Sequence, residues 1–316
     1  MALVATAVAV GAYCFERFGD GQAAAETNSV RAGTQAETPA VAGGNPGSAT
    51  TLQVSVSPGS AAAPLKDAFA QLQAQAEAGD AVAATRLYRN VGFCSRLPAL
   101  DWMLTRTADE LLAQKTEKMD AQQLRDYKIQ LDAIEERKPV MKRFHDLCDG
   151  ASAEMLASLV PSLKRAAELG DVDARACYLK QGPNVDPRSF ATRPELLDGY
   201  RRSVHALIDS GMQAGDWKVV DIVRHASRVG SDSLLSGLLG SDPTLHYRYL
   251  KLYRLGMGPR DGARLDQQLD SAAASLSPAQ RIDADVWAQT TLQKSFSGYS
   301  AQETPEGWDP CGFSYE

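Results

Sequence analysis

Apolar residues recur at helical spacing from Leu65 to about Phe296. Ala68 and Leu72 open one amphipathic stretch, and a second follows the pair Gly79-Asp80. An apolar residue every three or four positions gives a helix one face that can pack against a core. No run of alternating Val, Ile or Thr, the pattern typical of a strand, stands out in this range. The sequence therefore predicts an all-α body over residues 65–296.

The residues between the apolar stretches are those that begin and end helices. Ser277-Pro278-Ala279-Gln280 has the composition of a capping box with proline at the first helical position, and Asp242-Pro243 and Arg193-Pro194-Glu195 open helices in a similar way. Glycines fall where helices are expected to end, because glycine adopts the left-handed conformation of a C-cap without steric cost. These glycines are Gly150, Gly170, Gly182, Gly215, Gly230 and Gly256.

One short segment recurs along the body. Residues 76–83 (AEAGDAVA) match residues 167–174 (AELGDVDA) at five of eight positions, and Gln213-Ala214-Gly215-Asp216 repeats the turn a third time. The Gly-Asp pairs are separated by 91 and then 45 residues, close to two periods and one. We expect the glycine to end one helix and the aspartate to cap the next. Periods of this size are typical of helical-hairpin arrays, in which each unit buries its apolar face against its neighbours.

A resemblance to a known family follows from a second segment. Tyr253-Arg254-Leu255-Gly256-Met257-Gly258, followed by Asp261 and Ala263, resembles the Tyr-x-x-Gly-x-Gly segment of Sel-like repeats, which are related to the tetratricopeptide repeat. In this segment Pro259 stands where the family has an aliphatic residue, and the spacing to Asp261 is one residue short. The Ala-Glu-x-Gly-Asp-x-x-Ala units are similar to the ending of that family's second helix. The resemblance implies a protein-binding α-solenoid without catalytic residues. The alternative is an irregular helical domain with chance Gly-Asp turns.

The chain before the body has two segments of different character. Ala2 to Phe15 is apolar and uncharged, and Ala23-x-Ala25 has the small residues of a signal-peptidase site, so residues 1–25 are predicted to be a signal peptide or a membrane anchor. In residues 26–64, Ala, Gly, Ser, Thr and Pro fill 27 of 39 positions. Such a segment buries too little apolar surface to offset the entropy of ordering, so we expect a disordered, flexible linker.

Cysteine content agrees with export. Four cysteines follow Cys14, and an even number in an exported chain suggests two disulfides. The preferred pair is Cys94–Cys148, because each ends a helical stretch and the helices between them could return as a hairpin. For Cys177, a free thiol in the core and a bond to Cys311 both remain open. The predicted compartment is the periplasm of a Gram-negative bacterium, with membrane contact only through residues 1–20 if that segment is not cleaved.

The net charge and the absence of known motifs limit the classes of function that the sequence favours. The net charge of −6 argues against a nucleic-acid binder, which needs clustered Lys and Arg. Residues 106–146 carry nine basic and nine acidic residues, which indicates a charged helix pair or, alternatively, a coiled-coil docking element. No metal-binding, phosphate-binding or nucleophile motif occurs, so neither cofactor nor metal is expected and no catalytic residue is assigned. A closed pocket near His205 or His225 would count against this non-enzymatic interpretation.

The last segment, residues 297–316, is rich in aromatic residues, glycine and proline. Trp308, Phe313 and Tyr315 are candidate anchors for a partner, since large aromatic side chains dominate interface energetics. Alternatively, this tail covers the exposed end of the helical array. The sequence thus predicts a non-catalytic periplasmic protein-binding module, a scaffold or adaptor. The alternatives are an inhibitor or immunity protein that neutralises a toxic hydrolase and, third, an uncharacterised enzyme.

Overall fold

The computed structural model describes residues 63–258, 262–296, 298, 304 and 308–312. The chain divides into two units, Met1–Ala62 and Ala63–Glu316. The predicted signal peptide or anchor, and the predicted linker up to Ala62, lie outside the described residues. Within the second unit, every regular element of the described residues is a helix, so the prediction of an all-α fold is confirmed.

The α-helices are numbered here in chain order. They are α1 (Leu65–Glu77), α2 (Ala81–Leu112), α3 (Ala121–Cys148), α4 (Ala153–Ala157), α5 (Leu159–Glu168), α6 (Val172–Gln181), α7 (Pro187–Thr192), α8 (Glu195–Gln213), α9 (Trp217–Ala226), α10 (Leu234–Leu239), α11 (Pro243–Gly256), α12 (Gly262–Ala273) and α13 (Pro278–Ser295). Short 3-10 turns at Thr116–Lys118 and Gly182–Val185 follow α2 and α6. The capping box predicted at Ser277 opens α13, and Asp242 caps α11.

The three Gly-Asp turns have the same local structure. Gly79, Gly170 and Gly215 have φ values of 102°, 100° and 72°, a region that favours glycine. At each turn the backbone N–H of the aspartate donates to the carbonyl five residues earlier, at 3.0, 3.0 and 2.9 Å. The aspartate side chain then caps the following helix, α2, α6 or α9. The repeated sequence therefore encodes one repeated helix–turn–helix geometry.

The helices that these turns join also pack on one another. Helix α1 packs on α2, α5 on α6, and α8 on α9, and each pair contacts the next through α2 with α5, α6 with α8 and α9, and α9 with α11. The main core runs through these contacts from Ala76 to Cys311, and a smaller cluster lies around Leu65, Val91 and Leu147. Sequential packing of this kind buries an apolar face that no single pair could bury alone.

Polar contacts link the capped helix ends across neighbouring pairs. The Oδ2 of Asp171 accepts a hydrogen bond from the Thr85 hydroxyl at 2.7 Å. On α6, Asp173 pairs with Arg89 of α2 at 3.3 Å and with Lys218 of α9 at 2.6 Å. Because these bonds join α2, α6 and α9 near their N-terminal ends, they fix the register of successive helix pairs.

The most buried of these contacts joins α6 to the start of α9. Arg175 Nη1 donates to Asp216 Oδ2 at 2.9 Å, and the two side chains are only 5% and 4% exposed. The other carboxylate oxygen of Asp216 accepts the backbone N–H of Lys218 at 3.0 Å. One carboxylate thus caps α9 and neutralises the one buried arginine of α6.

The α2–α3 hairpin, residues 99–140, differs from the rest of the unit. Leu111 alone is buried among these residues, all of which the structure describes. Proline inside a helix is expected to kink or break it, as the sequence predicts at Pro139. Helix α3 nevertheless continues through Pro139 to Cys148, with α2 packed against it. Five of the ten large apolar side chains that are exposed in the described residues lie on this hairpin: Trp102, Met103, Leu112, Leu124 and Ile129.

Two disulfides close the unit. Cys94–Cys148 ties α2 to the end of α3, as the sequence predicts. Cys177 of α6 is bonded to Cys311 of the tail, so of the two alternatives for Cys177 the structure has the bond rather than the free thiol. Both pairs are compatible with an oxidising, extracytoplasmic compartment.

The two aspartate caps at Asp80 and Asp216 provide a direct test of the buried contact. Asp80→Ala removes an exposed cap and should lower the free energy of unfolding by about 1 kcal/mol. Asp216→Ala also leaves the guanidinium of Arg175 buried and unpaired, so we expect a loss of about 3–5 kcal/mol. Urea denaturation of the oxidised proteins measures both values. Equal losses in the two variants would show that the buried pair adds nothing beyond capping.

Candidate functional site

A groove of about 500 Å³ lies where α9 ends, α11 begins and α12 passes alongside them. Its lining residues are Arg224, His225, Arg228, Val229, Pro243, His246, Gln267, Gln268, Ser271, Ala272 and Ser275. This volume is within the range of roughly 300–1,000 Å³ typical of ligand sites, so we take the groove as the candidate functional site.

The α9 side of the groove is cationic. The Nε of Arg224 donates to Asp221 Oδ1 at 2.8 Å, and its guanidinium lies 4.2 Å from the centre of the Tyr253 ring. These contacts hold Arg224 in one orientation and offset its charge. Arg228, one turn further on, is exposed, and its guanidinium has no ion-pair partner among the described residues. No Asp or Glu is among the described residues that line the groove, so none of them compensates the charge of Arg228 there.

Two histidines add to this side. The Nδ1 of His246 lies 2.8 Å from the carbonyl oxygen of Arg224. A carbonyl only accepts hydrogen bonds, so Nδ1 carries the proton and Nε2 of the neutral ring is an acceptor. His225 is 56% exposed, and its Nε2 is 3.6 Å from Asp221 Oδ1, beyond the distance of a good hydrogen bond.

The surroundings keep both imidazoles neutral near pH 7. Partial burial lowers the pKa of His225, and the positive charge of Arg224 lowers it further, while Asp221 opposes the shift. Arg228 and Lys180 add smaller effects of the same sign as Arg224. Burial also lowers the pKa of His246, where the hydrogen bond to the Arg224 carbonyl opposes the change.

The opposite side of the groove is polar and uncharged. Gln267, Ser271 and Ser275 follow one another at intervals of one helical turn, the first two on α12 and the third just beyond its end. The Ser271 hydroxyl donates to the Gln267 carbonyl at 3.0 Å, and the Ser275 hydroxyl to the Ala272 carbonyl at 2.9 Å. The side-chain amides of Gln267 and Gln268 have no hydrogen-bond partner in the described part of the chain.

These contacts bear on whether the groove carries out nucleophilic chemistry. A serine nucleophile needs an imidazole within hydrogen-bond reach of its hydroxyl. Both groove serines instead donate to backbone carbonyls of their own chain segment. The groove is therefore a surface with hydrogen-bonding groups and one cation, Arg228, without a counter-charge among the described lining residues. Among its described side chains no serine hydroxyl is bonded to an imidazole, the pair that a serine hydrolase uses.

The tail contacts lie next to this groove. The Tyr253 ring that stacks on Arg224 has its hydroxyl 2.6 Å from Thr304 Oγ1. Further on, Arg96 donates to the carbonyl of Cys311 at 2.7 Å. The tail is therefore anchored to both α11 and α2.

The other predicted site residues have separate positions. Trp308 is partly buried against the main core. Phe313 and Tyr315 lie outside the described residues, so their role as partner anchors stays a prediction. His205 is exposed on α8, away from the groove lining, and His145 Nε2 lies 3.1 Å from Asp101 on the α2–α3 hairpin.

Two further features concern metals and membranes. Among the described residues no group of three or more His, Cys, Asp and Glu side chains is placed to bind a metal ion. None of the helices described here combines the length and the apolar character needed to span a bilayer.

Sequence reasoning missed the groove because its residues come from three helices. His225 reads as a packed or half-exposed residue, and His246 is 21 positions away. The available signal is the cluster Arg224-His225-x-x-Arg228 at the end of α9. Basic residues at a helix C-terminus are also favoured by the helix dipole, so the cluster alone does not indicate a site.

The histidines give a test of the groove's electrostatics. We expect the imidazoles of His225 and His246 to titrate below the ordinary value of 6.5, because desolvation and nearby arginines disfavour their charged forms. The unfolded chain then binds more protons than the folded one, so stability falls as the pH drops below about 6.5. Proton–carbon NMR of the imidazoles measures the pKa values, and the chain unfolded in urea gives the reference values. Ordinary values at both groove positions would contradict the described environment.

No family model, no curated protein and no solved structure matches the chain. The groove, the packed helix pairs and the disulfides are therefore the features from which a function can be inferred.

Proposed function

We propose that this protein is a non-catalytic, periplasmic protein-binding module, a scaffold or adaptor, in which a helical-hairpin array presents the groove to a partner. The observation that carries the proposal is the composition of the groove: a guanidinium without an ionic partner in the described chain, side-chain amides without hydrogen-bond partners there, and apolar lining residues. Such a mixture suits recognition of another chain.

The array interpretation is supported by the three equivalent Gly-Asp turns and by the packing of each helix pair on the next. The Sel-like segment adds one packing detail. A Cβ at Gly256 would overlap the Trp217 ring, so glycine allows α11 to approach the start of α9. These features are typical of helical repeats that bind proteins.

The periplasmic part of the proposal rests on the disulfides. Cys177 is fully buried and Cys311 is 6% exposed, and their bond ties the tail to α6. Removing a disulfide that closes a loop of 134 residues typically costs a few kcal/mol. A fold that relies on two such bonds suits an oxidising compartment, and the apolar run from Ala2 to Phe15 is consistent with export.

The α2–α3 hairpin favours a second candidate function, that of an inhibitor of a toxic hydrolase. An inhibitor presents an exposed element that enters a partner's cleft. The hairpin has Trp102 63% exposed, and Arg106 lies over its ring at 5.4 Å. In this alternative the partner contacts the hairpin rather than the groove.

Site-specific photocrosslinking in living cells tests the protein-binding function and separates the two candidates. The photoreactive residue p-benzoylphenylalanine would replace Val229 at the groove, Ile129 on the hairpin or Val82 elsewhere, all more than 60% exposed. We expect one dominant protein adduct from Val229 and none from Val82. Adducts should be identified by mass spectrometry.

Each outcome has a distinct meaning. A dominant adduct from Ile129 alone, with a hydrolase as the crosslinked protein, would support the inhibitor instead. The absence of protein adducts at all three positions, in cells where the chain is folded and oxidised, would contradict protein binding. It would also direct attention to the groove as a small-molecule site.

A further inference from the structure

We infer that the groove of α9, α11 and α12 binds an acidic peptide segment: one carboxylate side chain at Arg228, with an adjacent apolar residue on the groove floor. This inference rests on the proposed protein-binding function and specifies the chemistry of the partner. It depends on the groove's charge, hydrogen-bonding capacity and size, which are independent observations.

The charge of the groove determines the sign of the ligand. Arg224 is already paired with Asp221, whereas Arg228 has no ionic partner among the described residues. The lining residues that the structure describes include no carboxylate. The chain as a whole has a net charge of −6, so this is a local reversal of sign. A carboxylate placed at Arg228 would gain a charge-assisted, bidentate hydrogen bond.

The amount of charge also limits the class of ligand. One uncompensated guanidinium balances one carboxylate. A nucleic acid requires many phosphate contacts along a basic surface, and its affinity falls steeply when these are few. A side chain of Asp or Glu therefore fits the groove better than a polyanion does.

The opposite side fits a peptide backbone. A side-chain amide offers both a donor and an acceptor, the same pair that a backbone peptide group presents. Gln267 and Gln268 have amides without hydrogen-bond partners in the described chain, and both line the groove. Burying them against a ligand without such partners would be costly, so a peptide group is the chemistry that satisfies them.

Apolar residues complete the site. Val229, Pro243 and Ala272 also line the groove, and Val229 is 68% exposed. An exposed valine at the rim gains burial when an apolar residue of the ligand covers it. A volume of about 500 Å³ admits a short extended segment but no folded domain.

Selection from a random heptapeptide library displayed on phage tests the inference even though the partner is unidentified. The oxidised full chain would be the bait, alongside Arg228→Gln and the matched control Arg86→Gln. Arg86 is likewise exposed, lies on α2, and has no ion-pair partner among the described residues. With wild type and Arg86→Gln we expect enrichment of Asp or Glu next to an apolar residue. With Arg228→Gln this enrichment should disappear.

A synthetic peptide of the selected sequence then gives the energetic coupling. Changing its acid to the amide, or Arg228 to Gln, should weaken binding by about tenfold in each case, since both remove the same charged hydrogen bond. Combining the two changes should cost little more than either alone. Additive losses would place the acid elsewhere and overturn the inference.

Two other results would also overturn it. Selections without acidic enrichment, or with the same enrichment for Arg228→Gln and wild type, would remove the acidic-peptide inference. If crosslinking from Val229 still gave a dominant adduct, protein binding would stand and only the ligand chemistry would be wrong. Failure of both experiments would instead contradict the proposed function itself.

Discussion

The arrangement of the C-terminal helices depends on two contacts of the Asp216 carboxylate. It caps α9 through the backbone N–H of Lys218 and neutralises Arg175 of α6, with both side chains almost fully buried. A buried ion pair of this kind is weak evidence for net stability, because desolvation offsets much of the attraction. Its value here is geometric, since it fixes where α9 begins. The opposite end of the same short helix carries Arg224, His225 and the loop to Arg228.

The groove also depends on the position of α9. Trp217, next to Asp216, packs against Gly256 of α11. Its ring also packs against the ring of Phe296, and the two ring centroids are 4.5 Å apart. Helix α11 is thereby held beside α9, and the groove forms where α12 meets them. The tail contributes through Tyr253, which stacks on Arg224 and bonds to Thr304. Core, tail and groove are therefore parts of one connected set of contacts.

Local features of this fold could be predicted from the sequence, and features that depend on tertiary contacts could not. The two residues of a Gly-Asp turn determine its geometry, because glycine supplies the positive φ and aspartate supplies the cap. The sequence similarly predicts the capping box at Ser277. It also predicts the bond Cys94–Cys148, which joins the two ends of a helical hairpin. The bond Cys177–Cys311 spans 134 residues, and the sequence leaves it as one of two alternatives.

The groove could not be predicted from the sequence. Arg228, His246 and Gln267 come from three segments, and each has an ordinary explanation within its own helix. Only the packing of α9, α11 and α12 brings them together. Pro139 gives a smaller lesson, because α3 passes through it with α2 packed alongside.

Hydrogen–deuterium exchange of Asp216→Ala and Asp80→Ala, compared with the wild type, tests most directly whether Asp216 holds the groove in place. If it does, exchange in Asp216→Ala is faster throughout α9 and into the first turn of α11, including the backbone at Arg224 and His246. Asp80→Ala should affect only the first turn of α2. If the faster exchange in Asp216→Ala were confined to the first turn of α9, the groove would form without that contact, and the central role of Asp216 would be contradicted.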